Sequence, residues 1–353
     1  MAYPGIPPRD DGPLIEPRWR RVAEEPWPTP RPQPTPRVPT LNIVLFLITL
    51  LTTTMAGANV IPLGINPLTN PGALLSGLPF AATLMSILLV HELGHYVMSR
   101  VHGVRASLPY FIPGPPLLVG TFGAFIRMKS PPVNRRALFD VGAAGPWAGV
   151  MLAIPAVIVG LHLSEVRPLE PMEAGIFFGD SILFSMLSRA VLGVAPSEVT
   201  IILHPVALAG WIGLFVTFLN LIPIGQLDGG HVCYALFGRR HRFTARLFLL
   251  VIAVLGFGGW SGWFLWTFLL LFLGIDHPPT LDTQTPLDPV RRTAAWATLV
   301  LFVLTFIPVP FSTVEPAPPA PSSPVSPAPQ FDGALTPARS VAPIAGDGAW
   351  QAA

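Results

Sequence analysis

The chain has 353 residues, of which 51% are hydrophobic and only 11% charged, with a formal net charge of +2 and a mean hydropathy of +0.57. Soluble domains carry about 25% charged residues, so this chain lacks the charge to cover a water-facing surface, and a membrane is its expected environment. The apolar content excludes disorder throughout, the lone Cys233 excludes a disulfide scaffold, and the absence of a basic, aromatic-interleaved stretch excludes a nucleic-acid partner.

Residues 1–40 hold 12 prolines, six Arg and five Asp or Glu, a composition that cannot sustain a helix or a core. They are expected to form a proline-rich, disordered cytoplasmic arm, and they lack the short basic start and immediate apolar run of a signal peptide. From there to Glu92 no Asp, Glu, Lys or Arg follows Arg37. A bilayer core about 30 Å thick needs about 20 helical residues, so Leu41–Met55 with its flanks predicts a first span and Leu78–Val97 a second, separated by a Gly/Pro/Asn loop. Val141–His162 and Ile201–Ile222 predict a third and a fourth. The uncharged run Leu247–Ile275 is interrupted by Gly256, Gly258, Gly259 and Gly262 and reads as one tilted span or two shorter helices. A last apolar run covers Ala294–Phe311, and residues 312–353, with nine prolines, read as a proline/alanine-rich disordered tail.

Orientation follows from Lys and Arg in short loops. The segment Arg100–Arg136 carries six basic and no acidic residues, and Arg239, Arg240, Arg242 and Arg246 follow the fourth span, so both segments are expected on the cytoplasmic side. The segment between the third and fourth spans has Glu165, Glu170, Glu173, Asp180 and Glu198 and is expected to face away.

The second span contains His91-Glu92-Leu93-Gly94-His95. Two histidines four apart lie one helical turn apart on the same face, about 6 Å along the axis, so both imidazoles can reach one metal ion. Glu92 beside them can act as general base and then general acid. The string alone arises by chance in many proteins, but an ionisable residue inside a span is costly and marks function. A third ligand is offered by Asp228 in Asn220-Leu221-Ile222-Pro223-Ile224-Gly225-Gln226-Leu227-Asp228-Gly229-Gly230, reached at the cytoplasmic end of the fourth span, at a depth similar to that of His91. The alternative for Asp228 is a cap on the helix Gly229–Phe237.

The two motifs, in this order and at these membrane positions, resemble the site-2 protease family of intramembrane zinc metalloproteases over roughly residues 41–311. The resemblance implies His91, His95 and Asp228 as ligands of one Zn2+ per chain, Glu92 as catalytic base, and Asn220 as an amide near the substrate carbonyl. Asn220 otherwise makes an interhelical hydrogen bond. It also implies regulated intramembrane proteolysis of single-span membrane proteins, with membrane lipid as the other partner. Gly120, Thr121, Phe122 and Gly123 open a segment that follows Pro113-Gly114-Pro115-Pro116; as a short hairpin it can bind an extended peptide by adding it as a strand, or it is an interfacial loop. Gly142, Gly145 and Gly149 bring small residues into the third span for close packing on the catalytic helix. Leu163–Thr200 is too short for a periplasmic PDZ domain, so the likeness is to compact members, including those related to plant chloroplast forms.

The expected fold is therefore an all-α polytopic bundle of about six transmembrane helices, with a membrane-associated β-hairpin or loop and a re-entrant segment near the active site. The expected location is a bacterial cytoplasmic (inner) membrane, with the site toward the cytoplasm. The competing functions are a membrane metal-ion transporter and a non-cleaving pseudoprotease. Of the other histidines, His231 is nearest the site and can support it, whereas His102, His162, His204, His241 and His277 read as solvated or interfacial. Trp260, Trp263 and Trp266 read as interfacial anchors and packing aromatics.

Overall fold

The computed structural model describes residues 39–58, 66, 69–168, 175–194 and 196–314. The expected proline-rich arm and tail lie almost wholly outside these residues. Helix α1, Thr40–Gly57, is uncharged, and its threonines return their hydroxyls to the preceding turn. Thr49 donates to Leu45 O at 2.7 Å, Thr53 to Thr49 O at 2.7 Å and Thr54 to Leu50 O at 2.7 Å. No threonine hydroxyl is thereby left unsatisfied in an apolar surround. Helix α2, Leu78–Val101, follows a 3-10 turn at Pro71–Gly77, and α3, Arg135–His162, starts at Asn134, whose side chain accepts from the Arg136 and Ala137 amides. Helices α1, α2 with its lead-in, and α3 are the three among the described residues long and apolar enough to cross a membrane.

The expected six are not shown among the described residues. The fourth apolar run gives its first residues to a strand, and helix α5, Pro205–Asn220, has only 16 residues because Pro223 prevents its continuation. The glycine-interrupted run splits into α7, His241–Leu255, and α8, Gly262–Leu273. Helix α9, Pro289–Thr305, has 17 residues and stops short of the Pro308/Pro310 pair. Two short helices complete the set, α4 at Ile182–Leu192 and α6 at Asp228–Phe237.

The all-α expectation also needs correction. Strands β1, Tyr110–Pro113, and β2, Thr121–Phe125, form the antiparallel hairpin anticipated next to α2, with Tyr110 opposite Phe125 and Ile112 opposite Gly123. Two further antiparallel pairs join β3, Glu165–Pro168, to β5, Val199–Ile202, and β4, Gly175–Phe178, to β6, Phe311–Val314.

The centre of the molecule is α3, packed between α2 and α5. Leu84, Ala153, Val157, Leu161 and Leu214 are wholly buried there. Small residues set the spacing: a Cβ on Gly94 would sit 2.6 Å from the Ala144 carbonyl oxygen, and one on Gly160 would sit 2.1 Å from the Ala207 nitrogen. Of the two roles expected for Trp263 the packing one applies: it is buried, with Nε1 donating to Pro308 O at 2.7 Å. At the basic end the elements are tied by charge. Asp140 of α3 accepts from Arg291 of α9 at 2.7 Å and pairs with His102 beyond α2 at 2.8 Å, so His102 is not simply solvated. Arg135 donates to the Ala235 and Leu236 carbonyls at the end of α6, each at 2.8 Å.

Gly160→Leu tests this packing away from the chemistry. The new side chain must push α3 and α5 apart, and a loss of about 3 kcal/mol is expected, read as a lowered thermal midpoint of the purified protein in detergent. An unchanged midpoint would contradict the close helix approach.

Candidate metal centre

The period of α2 places His91 and His95 on one face with their Nε2 atoms 3.2 Å apart. Asp228 is the first residue of α6, and its Oδ2 lies 3.3 Å from each of those nitrogens. The three donor atoms thus form a near-equilateral triangle. Ligands at about 2.0 Å in tetrahedral array around zinc stand about 3.3 Å from one another, so the triangle matches three corners of such a site.

The proton inventory points the same way. His95 Nδ1 lies 2.7 Å from the Val141 carbonyl of α3, a contact only an N–H can make, so in the neutral ring that a metal requires the lone pair is on Nε2. That lone pair faces a carboxylate oxygen of Asp228, and two acceptors held together in a buried place call for a cation between them. His91, Glu92 and His95 are all buried. His91, His95 and Asp228 form the group of side chains among the described residues suited to holding a metal ion.

Local sequence explains the convergence. After Asn220 the chain leaves the helix, and Leu221–Leu227 is the irregular stretch that stands where a re-entrant segment is expected. Gly225 takes φ 55° and donates its amide to Ile275 O at 3.0 Å. Gly229 comes so near Leu221 that a Cβ would lie 1.9 Å from its carbonyl oxygen, which doubles the chain back and swings Asp228 under α2. On α3, a Cβ on Gly145 would fall 2.0 Å from His95 Nε2, and one on Gly149 would fall 3.1 Å from His91 Nδ1. The small residues expected to pack on the catalytic helix therefore sit directly against its histidine rings.

These groups line a cavity of about 460 Å³ that also contains Glu92, Asn220 and His231 and is walled on one side by Ala124–Met128. Asn220 Nδ2 lies 3.3 Å from His91 Nε2, so the amide reaches the donor triangle. His91, Glu92, His95, Asn220 and Asp228, chosen from sequence, are all brought together.

Gly120, Thr121, Phe122 and Gly123 are not among the residues lining that cavity. Thr121 Oγ1 donates to Ile112 O at 2.9 Å, the Gly120 carbonyl accepts from Thr52 of α1 at 2.6 Å, and Phe122 is 68% exposed. Their successors on the same extended segment face the site instead. Ala124–Met128 belong to the same segment expected to bind an extended peptide, but nothing in an apolar strand tells which end meets the cavity. Sequence reasoning gave His231 a possible supporting place but read His277 as interfacial, although the two rings are hydrogen-bonded at 2.7 Å.

Comparison with known proteins agrees with this site. Residues 79–257 match the sequence model of Peptidase family M50. The chain is 36% identical over 245 residues to "Probable zinc metalloprotease EGY1, chloroplastic" of Arabidopsis thaliana, covering 66% of this chain and 43% of the relative. It is 33% identical over 243 residues to "Probable zinc metalloprotease EGY2, chloroplastic" of the same plant, covering 67% and 42%. The chain thus spans about two fifths of the length of the curated relatives it matches. Their names place them in chloroplasts, which does not fit the bacterial cytoplasmic membrane expected from the sequence.

Gly145→Ala and Asp228→Ala each attack the donor triangle, the first by crowding His95 and the second by removing an oxygen. Metal analysis of purified protein is expected to find about one zinc per chain in the wild type and almost none in either variant. Full zinc in Asp228→Ala would remove Asp228 from the triangle's role.

Proposed function

The chain belongs to peptidase family M50, the site-2 protease family, and on that premise we propose that it is an intramembrane zinc metalloendopeptidase that hydrolyses a peptide bond in or near the transmembrane segment of a single-span membrane protein. The observation that carries this reading is the triangle of His91, His95 and Asp228 with Glu92 in the same buried cavity. His91 Nε2, His95 Nε2 and Asp228 Oδ2 would hold the zinc ion. Bound zinc supplies Lewis-acid polarisation of the scissile carbonyl and acidifies water.

The protein's own groups do the rest. The Glu92 carboxylate takes a proton from the attacking water and returns it to the nitrogen of the leaving amine, so that one group serves as base and then acid. Asn220 donates its amide to the substrate carbonyl oxygen as negative charge grows there. His95 is held by Val141 and His91 is backed by Gly149, so neither ring can swing aside.

Substrate binding is assigned to the hairpin. Pairing on one side of β2 runs on past the strand: Ser107 N donates to Arg127 O at 3.0 Å and Lys129 N to Arg105 O at 2.6 Å. The other edge of this segment has no strand partner among the described residues, and its Ala124–Met128 part borders the cavity. A substrate strand lies along that edge, with Gly120, Thr121, Phe122 and Gly123 receiving its outer part and Ala124–Met128 its reacting part. A helix shields its own peptide bonds, so the substrate must unwind there first, and helix-weakening residues near the cut are expected in it.

The protein is read as a multi-pass membrane protein with the cavity toward its basic end. The Arg100–Arg136 segment and the Arg239–Arg246 segment lie at one end of the bundle, as the contact of Arg135 with Ala235 and Leu236 requires, whereas α3 ends at β3 on the acidic side. Cleavage by regulated intramembrane proteolysis is the corresponding process.

In vesicles containing the zinc-loaded protein and a single-span reporter, Glu92→Gln is expected to keep its zinc and cut at least about 10³-fold more slowly. Asn220→Ala is expected to keep its zinc and lose about 10²-fold in kcat/KM. Cleavage by Glu92→Gln at the wild-type rate would remove Glu92 from the mechanism. Comparing membrane proteomes of cells with the wild type and with Glu92→Gln would identify the substrate as a single-span protein that accumulates uncut.

A further inference from the structure

Beyond the ligands, the buried histidines of greatest interest are His231 on α6 and His277 on the segment that links α8 to α9. His277 Nδ1 lies 2.5 Å from the Pro278 carbonyl oxygen, so that nitrogen carries the proton. Burial lowers the His277 pKa to about 3, so its ring is neutral and its Nε2 is an acceptor. His231 Nδ1 stands 2.7 Å from that Nε2 and must therefore be the donor. One proton assignment forces the next, and His231 is left with a bare Nε2.

Packing confines both side chains. A Cβ on Gly142 would be 2.6 Å from His231 Cβ, so α3 lies directly on the side chain, and His277 stacks on Tyr234 with ring centroids 4.5 Å apart. His231 lines the cavity, and no group among the described residues is hydrogen-bonded to its Nε2. A built hydrogen-bond acceptor, fixed in tautomer and position, is thus placed in the wall of the reaction space. Its complement is an N–H. In a peptide added along the free edge of the β2 segment, amides alternate between facing that edge and facing away, and those facing away need an acceptor on another wall.

We propose that His231 is a further catalytic residue, held by His277 as a positioning residue in the tautomer with a bare Nε2, and that it accepts a hydrogen bond from a backbone amide of the bound peptide. This rests on the peptidase reading above. It adds a contact to the substrate's main chain, which every sequence offers, and so favours register over side-chain identity.

The test uses the full-length, zinc-loaded protein and single-span substrates in which the backbone amides around the cut are replaced one at a time by esters. In the wild type, one ester position other than the scissile bond is expected to lower kcat/KM about tenfold. His277→Phe, which keeps the stack on Tyr234 but offers no acceptor, is expected to lower kcat/KM for the all-amide substrate about tenfold and to lose the penalty at that ester position. His277→Gln, which restores an acceptor for His231 Nδ1–H, is expected to recover to within about threefold. Nitrogen-15 NMR of labelled histidines is expected to show His231 protonated at Nδ1 in the wild type and in His277→Gln, but not fixed so in His277→Phe. Three results would each overturn the proposal: no ester position that matters in the wild type, an undiminished ester penalty in His277→Phe, or His231 protonated at Nε2 in the wild type. Where His277→Phe fails to fold, His231→Ala takes its place in the ester series: loss of the penalty at that position supports the proposal, and an undiminished penalty there overturns it. A wild type that binds zinc and cuts nothing defeats the peptidase reading itself; a wild type that cuts but ignores every ester defeats only the role of His231.

Discussion

The hydrogen bond from His95 Nδ1 to the Val141 carbonyl is the contact on which the rest of the site depends. It crosses from α2 to α3 and is possible only because the two helices touch without side chains between them, at Gly94 against Ala144 and at Gly145 against His95. It settles the proton on the far side of the ring and leaves the near side as a lone pair aimed at Asp228. A single interhelical contact therefore couples helix packing to the chemistry of the donor set. Loosening the packing by the width of a methyl group would move the ring and with it one corner of the triangle.

The second requirement is that polar groups be present in an apolar bundle without being stranded. Threonines on α1 satisfy their own helix, Trp263 donates to Pro308, and Asp140 gathers His102 and Arg291 at the basic end. Against that background, the metal-ligating atoms of His91, His95 and Asp228 gather in one place at the 460 Å³ cavity. They are left facing one another, which is costly unless something arrives to pair with them. A cavity that holds such groups and borders a free strand edge suits both a metal ion and an extended peptide, and the family to which the chain belongs makes use of zinc in that way.

The parts of the site visible in the sequence were those carried by a helical period in a stretch almost free of charge. His91, Glu92 and His95 stand out because nothing else ionisable lies in their span, and Asp228 because the loop after α5 reaches a comparable depth. What stayed hidden depends on tertiary partners. Gly120–Gly123 and Ala124–Met128 are parts of one extended segment, and only its docking on α1 through Thr52 decides which part meets the cavity. The pairs β3–β5 and β4–β6 are four residues long, and the latter joins Gly175 to Val314, too far apart for local pattern to register. Hydropathy counted six apolar runs and left open whether the glycines divide one of them, but it could not foresee that Pro223 would shorten another. The contact of His231 with His277 spans 46 positions.

The link between α8 and α9 also orders events in time. Ile275 accepts from Gly225 in the loop before Asp228, His277 holds His231, and Leu281 and Asp282 donate to Pro132 and Val133 just before α3. A growing chain that has laid down α2 and α3 already carries both histidines and Glu92, yet the loop that presents Asp228 gains its contact with Ile275 only some fifty positions later. Chains fold from the N-terminus as they emerge, so this brace on the donor triangle comes from nearly the last part of the bundle to be synthesised. Completion of the donor triangle in this way coincides with completion of the fold.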